Sequence, residues 1–177
     1  MSCVKQLDGR TVARMDTVLD DVRIRPYGVT DRDRVRRMSD RLSAASLYMR
    51  FFSGTPRLPD HYVGLLEGLD HWDREALVAL DGDEILGIAE YVRDATRAWR
   101  ADLAVLVADP WQRRGLGRAL VGCLSELAGR RGVTEFGADV ILTNRQALMF
   151  VRSGWPAARS SRDGGSARFR LPLSVPA

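Results

Sequence analysis

Apolar residues change their spacing repeatedly along this chain, and each change marks an element. Val22-Arg23-Ile24-Arg25-Pro26 alternates apolar and basic residues and stops at a proline, which predicts a first strand. Thr30 can cap a helix carrying Val35 and Met38. Helical spacing continues over residues 39–52 through Leu42, Ala45, Tyr48, Met49 and Phe52. Gly54-Thr55-Pro56 breaks it, and Tyr62, Val63, Leu66 and Leu69 then predict a further helical segment.

The pattern then turns to strands. Residues 76–80 and 85–92 are apolar, and Asp81-Gly82-Asp83-Glu84 between them is a hairpin signal. A polar connection leads to a third apolar run at 101–107. Leu116, Leu120, Val121, Leu124 and Leu127 predict a long helix over residues 112–131, with Gly132 as its stop. Another strand is expected at 133–141. A helix opened by Thr143 or Asn144 should follow to Gly154, then a loop at 160–166 and an alternating tail, Ala167-Arg168-Phe169-Arg170-Leu171. Residues 1–20 read as an extension in which Val12, Met15 and Val18-Leu19 can form a short helix or an added strand. Residues 21–177 read as one domain, a mixed α/β sheet.

Composition narrows the class. The chain has 177 residues, enough for a sizeable core, with 45% hydrophobic and 28% charged residues, as in an ordinary globular protein. The net charge of +4 is an arginine excess, with Lys5 the sole lysine. No arginine run is interleaved with aromatics, so nucleic acid is not an expected partner. The apolar runs are too short to span a bilayer, and Asp8, Asp16, Asp20 and Asp21 do not suit a signal peptide, so a cytoplasmic location is expected. Cys3, His61, His71 and Cys123 are scattered, which gives neither a disulfide framework nor a metal-ligand spacing.

One segment carries the clearest chemistry. The strand at 103–107 runs through Asp109-Pro110-Trp111 into Gln112-Arg113-Arg114-Gly115-Leu116-Gly117-Arg118, and then into the long helix. A glycine-bearing turn at a helix start leaves backbone N–H groups without intrahelical acceptors, next to the positive end of the helix dipole. That geometry suits a diphosphate, and Arg113, Arg114 and Arg118 add charge. Arg118-Ala119 does not supply the Lys-Ser/Thr of a Walker loop, and two glycines do not make a dinucleotide fingerprint. The alternative is a plain strand–helix turn with solvated arginines.

Gln112-Arg113-Arg114-Gly115-Leu116-Gly117 resembles the Gln/Arg-x-x-Gly-x-Gly/Ala signature of the GCN5-related N-acetyltransferases (GNATs), and the order of elements from residue 22 to 173 resembles that family's. The resemblance implies a GNAT fold: a single mixed, mostly antiparallel sheet of about six or seven strands with about four helices. It implies acetyl-CoA as co-substrate, with the backbone of Val105, Leu106 and Val107 meeting its pantetheine arm. Gln112, Arg113, Arg114, Gly115, Leu116, Gly117 and Arg118 would hold its pyrophosphate, and Asn144 would lie nearby. Ser46-Leu47-Tyr48-Met49-Arg50-Phe51-Phe52-Ser53 and Asp73-Arg74-Glu75-Ala76-Leu77-Val78-Ala79 resemble the acetyltransferase domain of Pat-type bacterial protein lysine acetyltransferases. That narrower resemblance implies a protein lysine as acceptor. A small amine, or a non-catalytic acyl-CoA-binding role, stands as the alternative, and a homodimer is left open.

Amine acetylation needs a held thioester, a polarised carbonyl and a group that deprotonates the ammonium. Asp102, at the start of the third apolar run, is the first candidate base, where Pat-like sequences usually carry glutamate. Its bland alternative is a strand-end acid paired with Arg100 or Arg97. Glu90 is the second candidate. It interrupts an apolar strand, and period two places it on one face with Leu86 and Ile88; its alternative is an ion pair with an arginine. Asn144 has an N-cap as its alternative role. Tyr48, Phe51, Phe52 and Trp72 fall in the region that shapes the acceptor pocket in the family. The family's helix tyrosine, a thiolate acid, is missing from Leu148-Met149-Phe150-Val151.

Overall fold

The computed structural model describes Leu19 and residues 21–173. The readings made for Cys3 and for Val12, Met15 and Val18 lie outside the described residues. Seven strands form one sheet in the order β1-β2-β3-β4-β5-β7-β6. They are β1 (Arg23–Pro26), β2 (Arg74–Asp81), β3 (Glu84–Arg93), β4 (Arg100–Val107), β5 (Glu135–Ile141), β6 (Arg159–Asp163) and β7 (Ser166–Pro172). The helices are α1 (Arg32–Met38), α2 (Ala44–Phe51), α3 (Asp60–Glu67), α4 (Leu116–Arg130) and α5 (Arg145–Gly154). Every strand pair is antiparallel except β4–β5.

Five helices stand where about four were expected, because residues 39–52 do not form one helix. Leu42 turns extended (φ −114°, ψ 122°), and Ser43 restarts the chain as the N-cap of α2, its Oγ accepting from the Ser46 amide at 3.2 Å. The first helix opens after a short 3-10 turn, with Asp31 rather than Thr30 at its N-cap. Buried Asp31 accepts from Arg25 and Arg34; burial alone would raise its carboxyl, but these guanidiniums and the Gly28 amide bring it below the ordinary range. Residues 160–166 are not a loop. They are mostly strand β6 and its turn into β7, with Gly164 at φ 56°. Every residue of β6 is exposed, so no apolar alternation marks it.

The sheet is packed on both faces. Leu116, Leu120 and Leu124 recur on one side of α4 and bury against Leu77, Ala89 and Tyr91, each fully buried leucine contributing about 1.5–3 kcal/mol. The opposite face receives α1, α2 and α3 through Val35, Met38, Leu47 and Leu66, which meet Val78, Ile88 and Leu106. A bulge sits in β3: Leu80 pairs with Ile85 but Ala79 pairs with Gly87, so Leu86 is the extra residue. It turns Leu86 to the α4 face. Glu90 therefore shares its face with Ile88 but not with Leu86, contrary to simple period two.

The feature that positions the site is a fork. β4 and β5 pair at Arg100↔Glu135, Ala101↔Phe136 and Asp102↔Gly137, and their pairing stops there. β4 stays on β3 as far as Gly87↔Val107, while β5 stays on β7 as far as Ile141↔Ser166. Both strands thus run on past their last common pair, and they diverge.

Candidate active site

A cavity of about 330 Å³ lies in the fork. Leu103, Ala104 and Val105 of β4 form one wall, and Ala138, Asp139 and Val140 of β5 the other. Helix α2 closes it with Met49, Arg50 and Phe52, and α5 with Asn144, Ala147 and Phe150. Phe52 ends α2 in the left-handed region (φ 58°), a conformation that costs a bulky residue about 1–3 kcal/mol and turns the chain at the cavity's edge. A larger hollow of about 670 Å³ lies between α5 and the β6–β7 hairpin. No carboxylate is among its lining residues, whereas Asp139 lines the fork.

At the far end of β4 the basic turn is built as a cradle. The chain passes through a 3-10 turn, Asp109–Trp111, so α4 begins at Leu116, later than the spacing of its leucines suggested. Arg113 (φ 60°) and Gly115 (φ 87°) both adopt left-handed backbone, and Gly115 is the N-cap. No side chain caps this helix, and the first backbone bond back to the cap is Ala119 N–H to Gly115 C=O at 3.0 Å. The N–H groups of Leu116, Gly117 and Arg118 thus precede the intrahelical ladder and sit at the positive end of the dipole. A Cβ at Gly117 would meet nothing nearer than Val107 Cγ2 at 3.7 Å, an ordinary contact, so packing within the fold does not itself demand a glycine there.

The side chains divide in role. Gln112 Nε2 donates to the Val107 carbonyl at 3.1 Å, Ser46 Oγ at 3.0 Å and Asp109 Oδ1 at 3.2 Å, so it latches the loop to β4 and α2. Ser46 Oγ in turn donates to Asp109 Oδ1 at 2.7 Å. Burial would raise the Asp109 carboxyl, but the hydroxyls of Ser46 and Ser43 carry it below its usual value. The Val107 carbonyl is taken internally by Gln112, and the Leu116 side chain is buried in the core. Arg113 and Arg114 are exposed, with Arg114 over the Trp111 ring at 5.5 Å. Arg118 donates to Ser153 Oγ at 2.9 Å and lies over Phe150, which joins α4 to α5. Asn144 caps α5, its Oδ1 accepting from the Ala147 amide at 3.0 Å, and it also faces the fork.

The two candidate carboxylates lie on one face of the sheet in different settings. Asp102 stands at the last β4–β5 pair with its side chain 59% exposed, and it accepts from Arg168 of β7 rather than from Arg100 or Arg97. The same guanidinium grips Asp139 of β5. Glu90 lies one strand over, opposite Ala104, and is mostly buried. It is ion-paired with Arg50, whose guanidinium packs over the rings of Phe51 (4.9 Å) and Tyr62 (5.3 Å). Burial pushes the Glu90 carboxyl up, against the opposing pull of Arg50. Burial also pushes the Tyr62 hydroxyl up, and Glu90's charge adds to it.

Other residues fall away from the fork. His71 Nδ1 lies 2.8 Å from Glu75 Oε1, and Arg131 reaches Glu75 Oε2 at 3.0 Å, so this cluster is structural. Trp72 packs under Arg131 at 5.6 Å, and its carbonyl accepts from Tyr91, which removes it from the acceptor pocket. Phe51 stacks edge-on with Tyr62 at 5.2 Å. Among the described residues no group of three or more His, Cys, Asp or Glu side chains could hold a metal ion, and no helix is long and apolar enough to cross a membrane. Sequence spacing does not single out Arg168 and Arg50 as site residues. Their signal is topological: each reaches its carboxylate only through strand or helix packing.

The chain that builds this fork matches known proteins. The model of the Acetyltransferase (GNAT) family matches residues 42–155, from the chain before α2 to the end of α5. The chain belongs to the GNAT family. It is an acetyltransferase by that membership. An acetyltransferase of Pseudomonas aeruginosa is 29% identical over 163 residues, covering 88% of this chain and 87% of that one. Acetyltransferase Pat of Mycolicibacterium smegmatis is 33% identical over 126 residues; these are 68% of this chain and 37% of Pat. Among solved structures, the GNAT domain of S. lividans PAT superposes with a TM-score of 0.79 at 30% identity, covering 86% of this chain and 90% of that one. A putative acetyltransferase from Salmonella typhimurium, solved with its cofactor acetyl-CoA, shares the fold with a TM-score of 0.68 at 18% identity, covering 89% and 96% of the two chains.

Proposed function

We propose that this GNAT chain transfers the acetyl group of acetyl-CoA to a primary amine, with a protein lysine side chain as acceptor. One observation carries the reading: the β4–β5 fork has an uncapped, positively polarised helix start at one end and a carboxylate, Asp102, at its apex. The described geometry fits the co-substrate. The α4 amides of Leu116, Gly117 and Arg118 would take the pyrophosphate, with Arg113 and Arg114 exposed beside them. The edge of β4 at Val105 and Leu106, past its last β5 partner, would take the pantetheine arm by strand-like pairing, with Asn144 and Phe150 across the cavity. Acetyl-CoA supplies an activated acyl group as a thioester.

The chain's own residues supply the rest. A backbone N–H on the unpaired edge of β4 polarises the carbonyl, as in an oxyanion hole. Asp102 accepts the ammonium proton, directly or through a water, because it stands at the apex of the fork and its side chain is largely open to solvent. Glu90 sits deeper and does not line the cavity; its part is to hold Arg50, which does. Phe150 faces the cavity with no hydroxyl, so the departing thiolate takes its proton from water.

The lysine acceptor rests on likeness to Pat and to the PAT domain. Acetyl-CoA offered with a panel of lysine-bearing proteins and of free amines, with products read by mass spectrometry, tests it. Acetylated lysine in protein acceptors is the expected outcome. Turnover of amino acids or polyamines with no protein modified would move the acceptor to small amines.

A further inference from the structure

At the apex of the fork the proposed base, Asp102, belongs to an ion cluster whose other members, Arg168 and Asp139, the transfer chemistry leaves unassigned. Arg168 of β7 spans the width of β5: its Nη2 donates to Asp102 Oδ1 on β4 and its Nη1 to Asp139 Oδ2 on β5. Gly137 of β5 makes this span possible. It lies directly between Asp102 and Arg170 in the cross-strand row, and a Cβ there would stand 2.7 Å from Asp102 Oδ1, 2.8 Å from Arg168 Nη2 and 3.0 Å from Arg100 Nη2. The missing side chain is the space in which the cluster closes.

We propose that Asp102 and Asp139 together form the site that receives the acceptor's ammonium, and that Arg168 holds this site and retreats onto Asp139 when a cationic amine arrives. The inference rests on the acetyl-transfer reading above and names the acceptor class: a protonated alkylamine. Two carboxylates share one guanidinium, so the pair keeps one net negative charge for an incoming cation. Arg100, whose Nη2 also borders the Gly137 gap, is balanced by Glu135, with Nε 3.6 Å from Oε1, and leaves that charge in place.

Burial decides which carboxylate can exchange its partner. The side chains of Arg168, Asp102 and Asp139 are 34%, 59% and 47% exposed, and ion pairs so hydrated are weak enough to be traded for another. Arg50 and Glu90 are only 19% and 17% exposed, and parting them would strand a desolvated charge. Asp139 also lines the fork beside Ala104 and Val105, so the retreating guanidinium stays at the mouth without blocking it. Arg168 is thus a positioning residue that acts through the two aspartates.

The test compares Michaelis constants for the amine and for acetyl-CoA in the wild type, Asp139→Asn, Arg168→Gln, Arg168→Lys and the double variant Asp139→Asn/Arg168→Gln, with thermal melts alongside. Failure of the wild type to turn over any amine would overturn the transfer reading before any variant is compared. Given turnover, Asp139→Asn leaves Arg168 with Asp102 alone, so the amine KM should rise by about fivefold or more while the acetyl-CoA KM stays put. Arg168→Gln in that background should bring the amine KM back to the wild-type value or below. Arg168→Lys keeps the charge but loses the two-pronged grip and should give an intermediate KM. An unchanged amine KM in Asp139→Asn, or additive effects in the double variant, would overturn the proposal. So would a parallel rise of both Michaelis constants, which marks a merely structural role.

Discussion

The Arg50 guanidinium on α2 ion-pairs with the Glu90 carboxylate on β3, and the pair ties the helix layer to the sheet beside the fork. Burial raises the Glu90 carboxyl above its ordinary value. The folded protein therefore binds this proton more readily than the unfolded chain does. Glu90's contribution to stability is fully present below the unfolded pKa of about 4.3 and is lost as pH rises through the higher folded value. Relative to Glu90→Gln, the wild type should lose stability as pH climbs from about 4 toward neutrality. Urea unfolding of both proteins across that range measures it, and parallel curves would show that the carboxyl is not raised.

Removing the other partner is a separate test. Arg50→Met leaves a buried carboxylate without its cation, which costs about 3–5 kcal/mol. Chemical denaturation should show a loss of that size at neutral pH, and a smaller loss at a pH where Glu90 is protonated.

The fold has room for a side chain at Gly117, in the first turn of α4, since a Cβ there would meet nothing nearer than Val107 Cγ2 at 3.7 Å. Gly117→Glu puts a carboxylate at the positive end of the helix, which the helix itself tolerates well. The fold should survive while acetyl-CoA binding is lost through charge and steric conflict with the pyrophosphate. Calorimetric titration checks this, and retained affinity in a folded variant would contradict the cradle.

Two strand glycines separate packing from chemistry. Gly87→Ala would place a Cβ 2.9 Å from Leu120 Cδ1 and 3.2 Å from the Leu106 carbonyl oxygen, while Gly137→Ala strikes Asp102 and Arg168. Each should cost about 1–3 kcal/mol in thermal or chemical unfolding. Gly137→Ala should also depress turnover at temperatures where the variant is fully folded, because it moves the proposed base. Equal turnover in the two folded variants would remove Asp102 from that role.

The sequence shows the strand–turn–helix at 103–130 because an apolar run, two glycines and a leucine repeat all act locally. It does not show the restart at Ser43, since apolar positions keep helical spacing across the break at Leu42. It misplaces Leu86, because one bulged residue reverses which face each neighbour takes. It hides β6, an edge strand exposed along its whole length. Glu90 is legible as an acid interrupting an apolar strand and Asp102 as an acid at a strand start, but their partners are not. With 27 basic residues in the chain, spacing alone offers too many arginines; even the strand register puts Arg170 in line with Asp102, and it is the neighbouring Arg168, opposite Asp139, that reaches across Gly137 to it.

The most direct measurement is free-thiol release from acetyl-CoA by the wild type and by Asp102→Asn, with acetyl-CoA affinity measured for both. Release should depend on added primary amine in the wild type. In Asp102→Asn it should fall by about a hundredfold or more, with acetyl-CoA affinity retained. Tight binding without amine-dependent release in the wild type, or equal rates in the two proteins, would contradict the account.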